Sequence, residues 1–385
     1  MSIWFQRNYG LEYNIEYLDL KYVLKMNVYL MYLKRKISLL TFLVLLIISC
    51  DINGKSSEDI GKEIKLGYFH GGKNYGFFRA YVYKYFDKNG VNVSLYTTVQ
   101  DKGPLTLIEK DPEWIFKKKK EQKFFGKMTG NKIAELINEG KLDGGLIGSG
   151  SFLDALEKNL SIVAVASLGM CDKEKTCRSL TLREGVKIIN LEDLRGKKIC
   201  YFKDTSIDYL ALVKYLKKVG LYGNVTLIET KDWDSWVSYA YGKADACIRH
   251  YGSAKEADIE WNGHYEAVDW INPNMDHGLL VFKADFIHKH PDKIKKIILG
   301  YNERLNYEKN LSDDEAHKSN IKGLNIKDEY EDISLAVMNY NLSVKTSLLN
   351  EIETMMMEED MLERDLNIQG HVDNSFVSEI IQESK

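Results

Sequence analysis

From residue 64 onward, short segments rich in apolar and β-branched residues alternate with longer segments of helical pattern. The first strand-like segments are IKLGYF at 64–69, VNVSLYTTV at 91–99, LDGGLIG at 142–148 and SIVAVASL at 161–168. Helices are predicted between them at about 77–86, 131–139 and 152–159. An alternation of this kind predicts a mainly parallel sheet with helices on both faces, and therefore an α/β fold.

A second set of alternating segments follows. Its predicted strands are SLTLREG at 179–185, the end of NLEDLRGKKICYF at 190–202, NVTLIET at 224–230 and ADACIRHY at 244–251, with helices at 206–219 and around 236–241. A further strand, GLLVF, is predicted at 278–282, followed by a helix from Pro291 to about Asn306 and a helical C-terminal part that includes 333–361.

The chain has room for two separate cores. It contains 385 residues, of which 44% are hydrophobic, and this is enough for two compact lobes. We expect lobe 1 to comprise 64–168 and 274–385, and lobe 2 to comprise 169–273.

The stretch DGGLIGSGSF at 143–152 breaks from an apolar run into glycine and serine. Its Gly145, Gly148 and Gly150 give the spacing G-x-x-G-x-G, which lacks the order of a dinucleotide fingerprint, and no Lys-Ser or Lys-Thr pair follows as in a phosphate loop. It also lacks the G-x-S-x-G of a nucleophile turn in register. The stretch therefore predicts the end of a strand, a turn and the start of a helix.

Ligands of doubly wound sheets bind outside the carboxyl ends of the strands. Three predicted loops lie there, at 70–75, 148–152 and 203–206. Helix starts at Ser151 and Ser206 would offer backbone N–H groups to an anionic or acceptor-rich ligand, although Thr205 and Ser206 could instead be simple helix caps. The candidate ligand-binding residues are His70, Gly72, Tyr75, Ser149, Gly150, Ser151, Thr205, Ser206 and Arg249.

The five cysteines are scattered and form no C-x-x-C pair, which excludes a zinc ribbon and a thioredoxin-type redox motif. We expect no metal and no cofactor. Cys171 and Cys177 bracket DKEKT and are a disulfide candidate in an exported protein. Cys200 and Cys247 fall in predicted strands, where we expect them to be buried and reduced.

Cys50 ends the segment KRKISLLTFLVLLIISC, which has a positive n-region and an apolar h-region of signal-peptide length. Its last four residues resemble a bacterial lipobox. The resemblance implies cleavage before Cys50 and lipid on its thiol, with 1–49 as an N-terminal extension and signal peptide and 50–63 as a tether. A plain transmembrane anchor is the alternative.

The formal net charge of −3 indicates no basic face for nucleic acid. The basic run FKKKKEQK at 116–123 is interpreted as a solvated surface segment.

Four stretches resemble the type II periplasmic solute-binding proteins of the nitrate, sulfonate, taurine and thiamine-pyrimidine branch. They are LDGGLIGSGSFLDALEKNLSIVAVAS at 142–167, NLEDLRGKKICYFKDTSIDYLALVKYLKKVGL at 190–221, WDSWVSYAYGKADACI at 233–248 and GLLVFKADFIHKHPDKIKKII at 278–298. The resemblance covers roughly 64–310. At 203–206 the chain has Lys-Asp-Thr-Ser where the family often has Gly-Ser or Gly-Thr, and the segment at 100–129 is longer than expected.

This resemblance implies a two-lobe type II periplasmic-binding-protein fold, each lobe a mainly parallel sheet flanked by helices. It implies a monomeric, lipid-anchored extracytoplasmic protein, without enzyme activity, that captures a small organic or anionic solute and delivers it to the permease and ATPase of an ABC importer. One alternative is an enzyme on the same fold, of the thiamine-pyrimidine synthesis or chorismate-derived acid dehydratase type. The pyrimidine-making relatives carry a close cysteine cluster that this chain lacks. Another alternative is a ligand-sensing domain.

Overall fold

The computed structural model describes residues within the unit Lys62–Lys385. The described residues are 62–69, 74–99, 103–108, 128–171, 178–202, 207–230, 243–250, 267–268, 277–311, 338–339 and 341–383.

A large sheet of seven strands in the described residues has the spatial order β12-β5-β11-β4-β1-β2-β3. Its strands are β1 (Ile64–Gly67), β2 (Val93–Val99), β3 (Gly103–Ile108), β4 (Gly144–Gly148), β5 (Ile162–Cys171), β11 (His277–Lys283) and β12 (Met338–Asn339). Strands β2 and β4 run parallel to β1, whereas β11 lies antiparallel between β4 and β5.

A small sheet of five strands in the described residues has the order β10-β6-β9-β7-β8. Its strands are β6 (Arg178–Leu182), β7 (Lys198–Phe202), β8 (Thr226–Thr230), β9 (Ala246–His250) and β10 (Ala267–Val268). Strands β8 and β9 run parallel to β7, whereas β6 lies antiparallel between β9 and β10.

The two sheets have the same strand order. In the small sheet β8-β7-β9-β6-β10 corresponds to β2-β1-β4-β11-β5 in the large sheet, with the antiparallel strand in the same place. The registers of the equivalent strand pairs agree as well. Leu66 of β1 is paired with Gly144 of β4, and Ile199 of β7 is paired with Ala246 of β9. The central strands then align as KLGYF at 65–69 and KICYF at 198–202, and their neighbours as KLDGG at 141–145 and KADAC at 243–247.

One hydrogen-bonded clamp recurs at the start of both strand pairs. The backbone N–H of Lys65 donates to Asp143 Oδ2 at 2.8 Å, and the N–H of Asp143 donates to the Lys65 carbonyl at 2.9 Å. In the small sheet the backbone N–H of Lys198 donates to Asp245 Oδ2 at 2.9 Å, and the backbone N–H of Asp245 donates to the Lys198 carbonyl at 2.7 Å. The two sheets therefore share a backbone frame as well as a strand order.

Helices cover both faces of the large sheet and pack on the small one. They are α1 (Tyr75–Val82), α2 (Tyr85–Lys88), α3 (Gly130–Asn138), α4 (Ser149–Glu157), α5 (Ile207–Lys218), α6 (Ala284–Lys289), α7 (Pro291–Lys309), α8 (Thr346–Glu358) and α9 (Ser375–Glu383), with 3-10 turns at Leu191–Leu194 and Ile368–His371. On one face of the large sheet α1, α7 and α9 contribute to a buried aromatic and aliphatic cluster, and on the other α3, α4 and α8 contribute to a second cluster.

Glycines in the large sheet allow a helix to approach it closely. A Cβ added to Gly67 would lie 2.8 Å from Ile133 Cγ2 on α3, and one added to Gly145 would meet the same methyl group. A Cβ on Gly144 would lie 2.5 Å from both the Val281 carbonyl oxygen and a ring atom of Phe282. The glycines of DGGLIGSGSF that lie in the strand thus have a packing role.

The predicted α/β fold is confirmed, and most strands and helices lie within a few residues of their predicted positions. The predicted helix at 77–86 is divided, because Lys84 has a left-handed φ of 61°. Strand β3 was not predicted, and the prediction of a helical C-terminal part that includes 333–361 is wrong at Met338 and Asn339, where β12 pairs with β5. The predicted lobe boundaries stay a prediction.

Within the part of the chain that the structure describes, none of the helices is both long enough and apolar enough to span a bilayer.

Candidate functional site

The carboxyl ends of β1 and β4 lie at one edge of the large sheet, because these two strands are parallel neighbours. Strand β4 ends at Gly148 and α4 begins at the next residue, so the helix N-terminus opens directly at this edge. Its N-cap residue is Gly148, which has no side chain to accept a capping hydrogen bond. The first backbone N–H groups of α4 are therefore of the kind that an acceptor-rich ligand can use.

The predicted serines lie within this helix start. Ser149 is fully buried and Ser151 is 8% exposed. Ser151 packs against the first residue of α3, since a Cβ added to Gly130 would lie 2.7 Å from Ser151 Cβ. Thr129 caps α3 by accepting a hydrogen bond from the Lys132 backbone N–H at 3.2 Å. Two helix N-termini therefore lie side by side at the edge of the sheet.

The neighbouring strand β1 leads to a third helix start. Asn74 is fully buried at the N-cap position of α1, and its Nδ2 donates to the Phe69 carbonyl at 2.9 Å. This bond links Phe69, directly before the predicted loop at 70–75, to Asn74 within that loop. Asn74 was missed by the sequence reasoning, which selected its neighbours.

The small sheet presents the start of α5 at the corresponding edge. Strand β7 ends at Phe202, and the Thr230 hydroxyl donates to the Tyr201 carbonyl at 2.8 Å near that end. Ile207 and Leu210, in the first turn of α5, belong to the same buried cluster as Phe152 and Leu153 of α4. The first turn of α5, the helix that follows β7, thus contributes to the same buried core as α4.

Tyr209 and Lys217 of α5 also bond to one carboxylate, that of Glu359 directly after α8. The Tyr209 hydroxyl donates to Oε2 at 2.8 Å, and Lys217 Nζ donates to Oε1 at 2.6 Å. Burial and this hydrogen bond raise the pKa of Tyr209, and the same carboxylate raises the pKa of Lys217. Local sequence patterns carry no signal for a contact between residues so far apart in the chain.

The predicted site residues are only partly described. Ser149, Gly150 and Ser151 lie together at the start of α4. Tyr75 is the first residue of α1, and the backbone of Arg249 is paired with Ser179 on β6. The other predicted positions lie outside the described residues, namely His70, Gly72, Thr205 and Ser206, together with Cys50 and Cys177.

The cysteines that the structure describes fit their predicted environment. Cys200 and Cys247 are free thiols, and both are buried, as predicted. Cys171 is the last residue of β5, and its predicted partner lies outside the described part of the chain. Among the described residues, no group of three or more His, Cys, Asp or Glu side chains could hold a metal ion.

Residues 126–308 match the protein-family model described as NMT1/THI5 like. This segment includes α3, α4, α5 and the small sheet, and therefore the starts of α4 and α5 described above. No curated protein matches the chain in sequence.

Solved structures with the same fold include sulfonate-binding proteins. The alkanesulfonate-binding protein SsuA from Xanthomonas axonopodis pv. citri, bound to MOPS, shares 12% identity and a TM-score of 0.58 over 82% of this chain and 99% of that chain. A putative periplasmic sulfonate-binding SsuA from Methylobacillus flagellatus KT shares 16% identity and a TM-score of 0.60 over 84% of this chain and 94% of that one.

An enzyme is also similar. The desulfurization enzyme DSZB has 10% identity and a TM-score of 0.56, covering 84% of this chain and all 100% of that chain. Likeness at these identities establishes the fold. The chain therefore has the type II periplasmic-binding-protein fold expected from its sequence, and within it residues 126–308 match the NMT1/THI5-like family.

Proposed function

We propose that this protein is an extracytoplasmic binding protein that captures a small organic or anionic solute between the starts of α4 and α5. The observation that carries the proposal is the helix α4, which begins directly at the carboxyl edge of the large sheet and contributes to the same buried cluster as the first turn of α5. Backbone N–H groups and the positive end of a helix dipole favour an anion or an acceptor-rich group. The sulfonate group of the ligand named for one similar structure is of this type.

Further parts of the proposal follow from the sequence. Cys50 is proposed to carry a lipid that tethers the mature, monomeric protein to the outer face of a membrane. The solute would pass to the permease and ATPase of an ABC importer. The predicted ligand residues in the loops at 70–75 and 203–206, together with Arg249, remain part of this proposal, as does a disulfide between Cys171 and Cys177.

Calorimetric titration of the mature protein with alkanesulfonates and taurine tests the solute and its site together. Ser151→Ala removes the hydroxyl but keeps the Cβ that packs against Gly130. If the hydroxyl bonds to a charged ligand, affinity should fall about tenfold or more, while unfolding of the ligand-free protein changes by no more than about 1 kcal/mol. Ser161→Ala, at the opposite edge of the same sheet, should leave binding unchanged.

Two results would contradict the proposal. One is normal affinity combined with early melting of Ser151→Ala, which would make this serine structural. The other is chemical conversion of a bound compound by the purified protein, which would favour the enzyme alternative suggested by the fold of the desulfurization enzyme.

A further inference from the structure

We propose that Glu359 is a positioning residue that holds the starts of α4 and α5 together, and so sets how strongly the protein binds its solute. This inference rests on the proposed binding function. It concerns three segments: α5, which follows β7 of the small sheet; α8, which packs on α4; and the turn after α8 that carries Glu359.

The Glu359 carboxylate is well placed to join two helices. Both of its oxygens are used, one by the Tyr209 hydroxyl at 2.8 Å and the other by Lys217 Nζ at 2.6 Å. Its side chain is only 9% exposed, whereas that of Lys217 is 42% exposed. A carboxylate with little access to water that bonds to two donors on one helix restrains that helix more than a solvated ion pair does.

The contact is anchored at both ends. The ring of Tyr209 packs against that of Tyr201 of β7, with centroids 4.5 Å apart and the rings tilted by 32°, so Tyr209 contacts the small sheet. On the other side Leu349, Ile352 and Met356 of α8 are buried in the same cluster as the apolar residues of α4. A shift of α5 away from α8 would therefore separate the two helix starts that form the proposed site.

A second ion pair in the same interface provides a matched control. Lys214 of α5 contacts Glu351 of α8, and these side chains are 40% and 50% exposed. Exposed pairs contribute little, because water and salt screen their attraction. Removal of the Glu351 charge should therefore change the position of α5 relative to α8 far less than removal of the Glu359 charge.

The experiment compares Glu359→Gln and Glu351→Gln in the mature protein by small-angle X-ray scattering without added solute. Loss of the Glu359 contact should increase the radius of gyration, and Glu351→Gln should match the wild type. Binding of MOPS as the probe should weaken about three- to tenfold in Glu359→Gln, because the apparent Kd rises as the binding-competent fraction falls. Tyr209→Phe removes one hydroxyl and should show the same changes to a smaller extent, even if the glutamine variant folds poorly.

A purely structural role predicts a different pattern. In that case Glu359→Gln would melt earlier, but folded Glu359→Gln and Tyr209→Phe would keep the wild-type radius of gyration, and this result would overturn the inference. The two proposals fail separately. If the radius increases while the wild-type protein binds neither MOPS nor another sulfonate, the positioning role of Glu359 stands and the proposed solute class does not.

Discussion

The large and small sheets have one backbone frame but different side chains at equivalent positions. Where the large sheet has Gly67 paired with Gly145, the small sheet has Cys200 paired with Cys247. The glycines admit Ile133 of α3 close to the strands, whereas the cysteines fill the same face with buried thiols. The same strand order and register are thus kept with different side chains, whereas side-chain volume decides how closely a helix approaches.

The sheets also differ in how charge is buried. Beside the large sheet, Arg79 and Arg304 bond to Glu308, with Arg79 Nη2 at 2.8 Å from Oε2 and Arg304 Nε at 2.7 Å from Oε1. The two arginine side chains are almost fully buried. In the small sheet Arg183 pairs with Asp245 at 3.1 Å, and both side chains are partly exposed. Removal of a charge should therefore lower the free energy of unfolding more beside the large sheet than in the small sheet.

The largest effect is expected from Glu308→Gln. This change leaves two buried guanidinium groups without their shared carboxylate, and breaking a buried pair of this kind costs about 3–5 kcal/mol. Arg183→Gln, the counterpart in the small sheet, should cost no more than about 1 kcal/mol. Urea unfolding of both variants measures the two losses of stability, and equal losses would contradict the expected difference between the two regions.

The pH dependence of Glu308 adds a second measurement. Burial by itself would raise the pKa of Glu308, but hydrogen bonds and charges from Arg79 and Arg304 outweigh burial and lower it. The unfolded state then takes up the proton first as the pH falls. The stabilising contribution is complete above the ordinary glutamate pKa of about 4.3 and is lost as pH falls through the lower folded pKa.

The stability difference between the wild type and Glu308→Gln should therefore be constant near neutral pH and shrink as the solution becomes acidic. Urea unfolding at a series of pH values measures it. A difference that stays constant into the acidic range would show that Glu308 does not titrate with a lowered pKa.

A smaller effect on stability is expected when a side chain is introduced at a glycine of the large sheet whose equivalent in the small sheet has one. Gly145→Ala places a methyl group against Ile133 Cγ2, and overpacking of this kind typically costs about 1–3 kcal/mol. Because the obstruction is one side chain, combining Gly145→Ala with Ile133→Ala should cost less than the sum of the two changes. Additive losses in thermal unfolding would mean that Ile133 is not the group displaced.

The smallest effects are expected at the repeated clamp. Asp143→Ala and Asp245→Ala each remove one acceptor for a backbone N–H in a central strand. Loss of such a bond should cost about 1 kcal/mol in each sheet, with a small excess for Asp245, which also pairs with Arg183. Hydrogen exchange at the amides of Lys65 and Lys198 should rise in the matching variant only. A change at both amides in either variant would argue against two independent clamps.

The sequence predicted much of the fold because most strands carry a local signal. The apolar run from Leu146 to Gly148 and the serines after it correctly indicated a strand followed by a helix. Strand β3 begins with Gly103 and Pro104, which are poor strand formers, so its pairing with β2 had no local signal. The equivalence of KLGYF and KICYF becomes evident only from the register of the strands.

The site was less predictable than the fold. Helix starts could be inferred from turn residues, but Ser151 packs against Gly130 of a different helix. The bond between Tyr209 and Glu359 joins residues 150 positions apart, and such contacts depend on tertiary packing. Local sequence thus indicates which loops reach the edge of a sheet, whereas the partner of each side chain depends on the whole fold.

A solute is proposed to bind between the starts of α4 and α5, whose first turns contribute to one buried cluster. Amide hydrogen exchange of the mature protein, with and without a bound alkanesulfonate, tests this proposal most directly. The ligand should slow exchange at 149–152 and 207–210, with little change at the opposite edge around Lys65 and Asp143. Protection concentrated at that opposite edge, or none at either helix start despite saturating ligand, would contradict it.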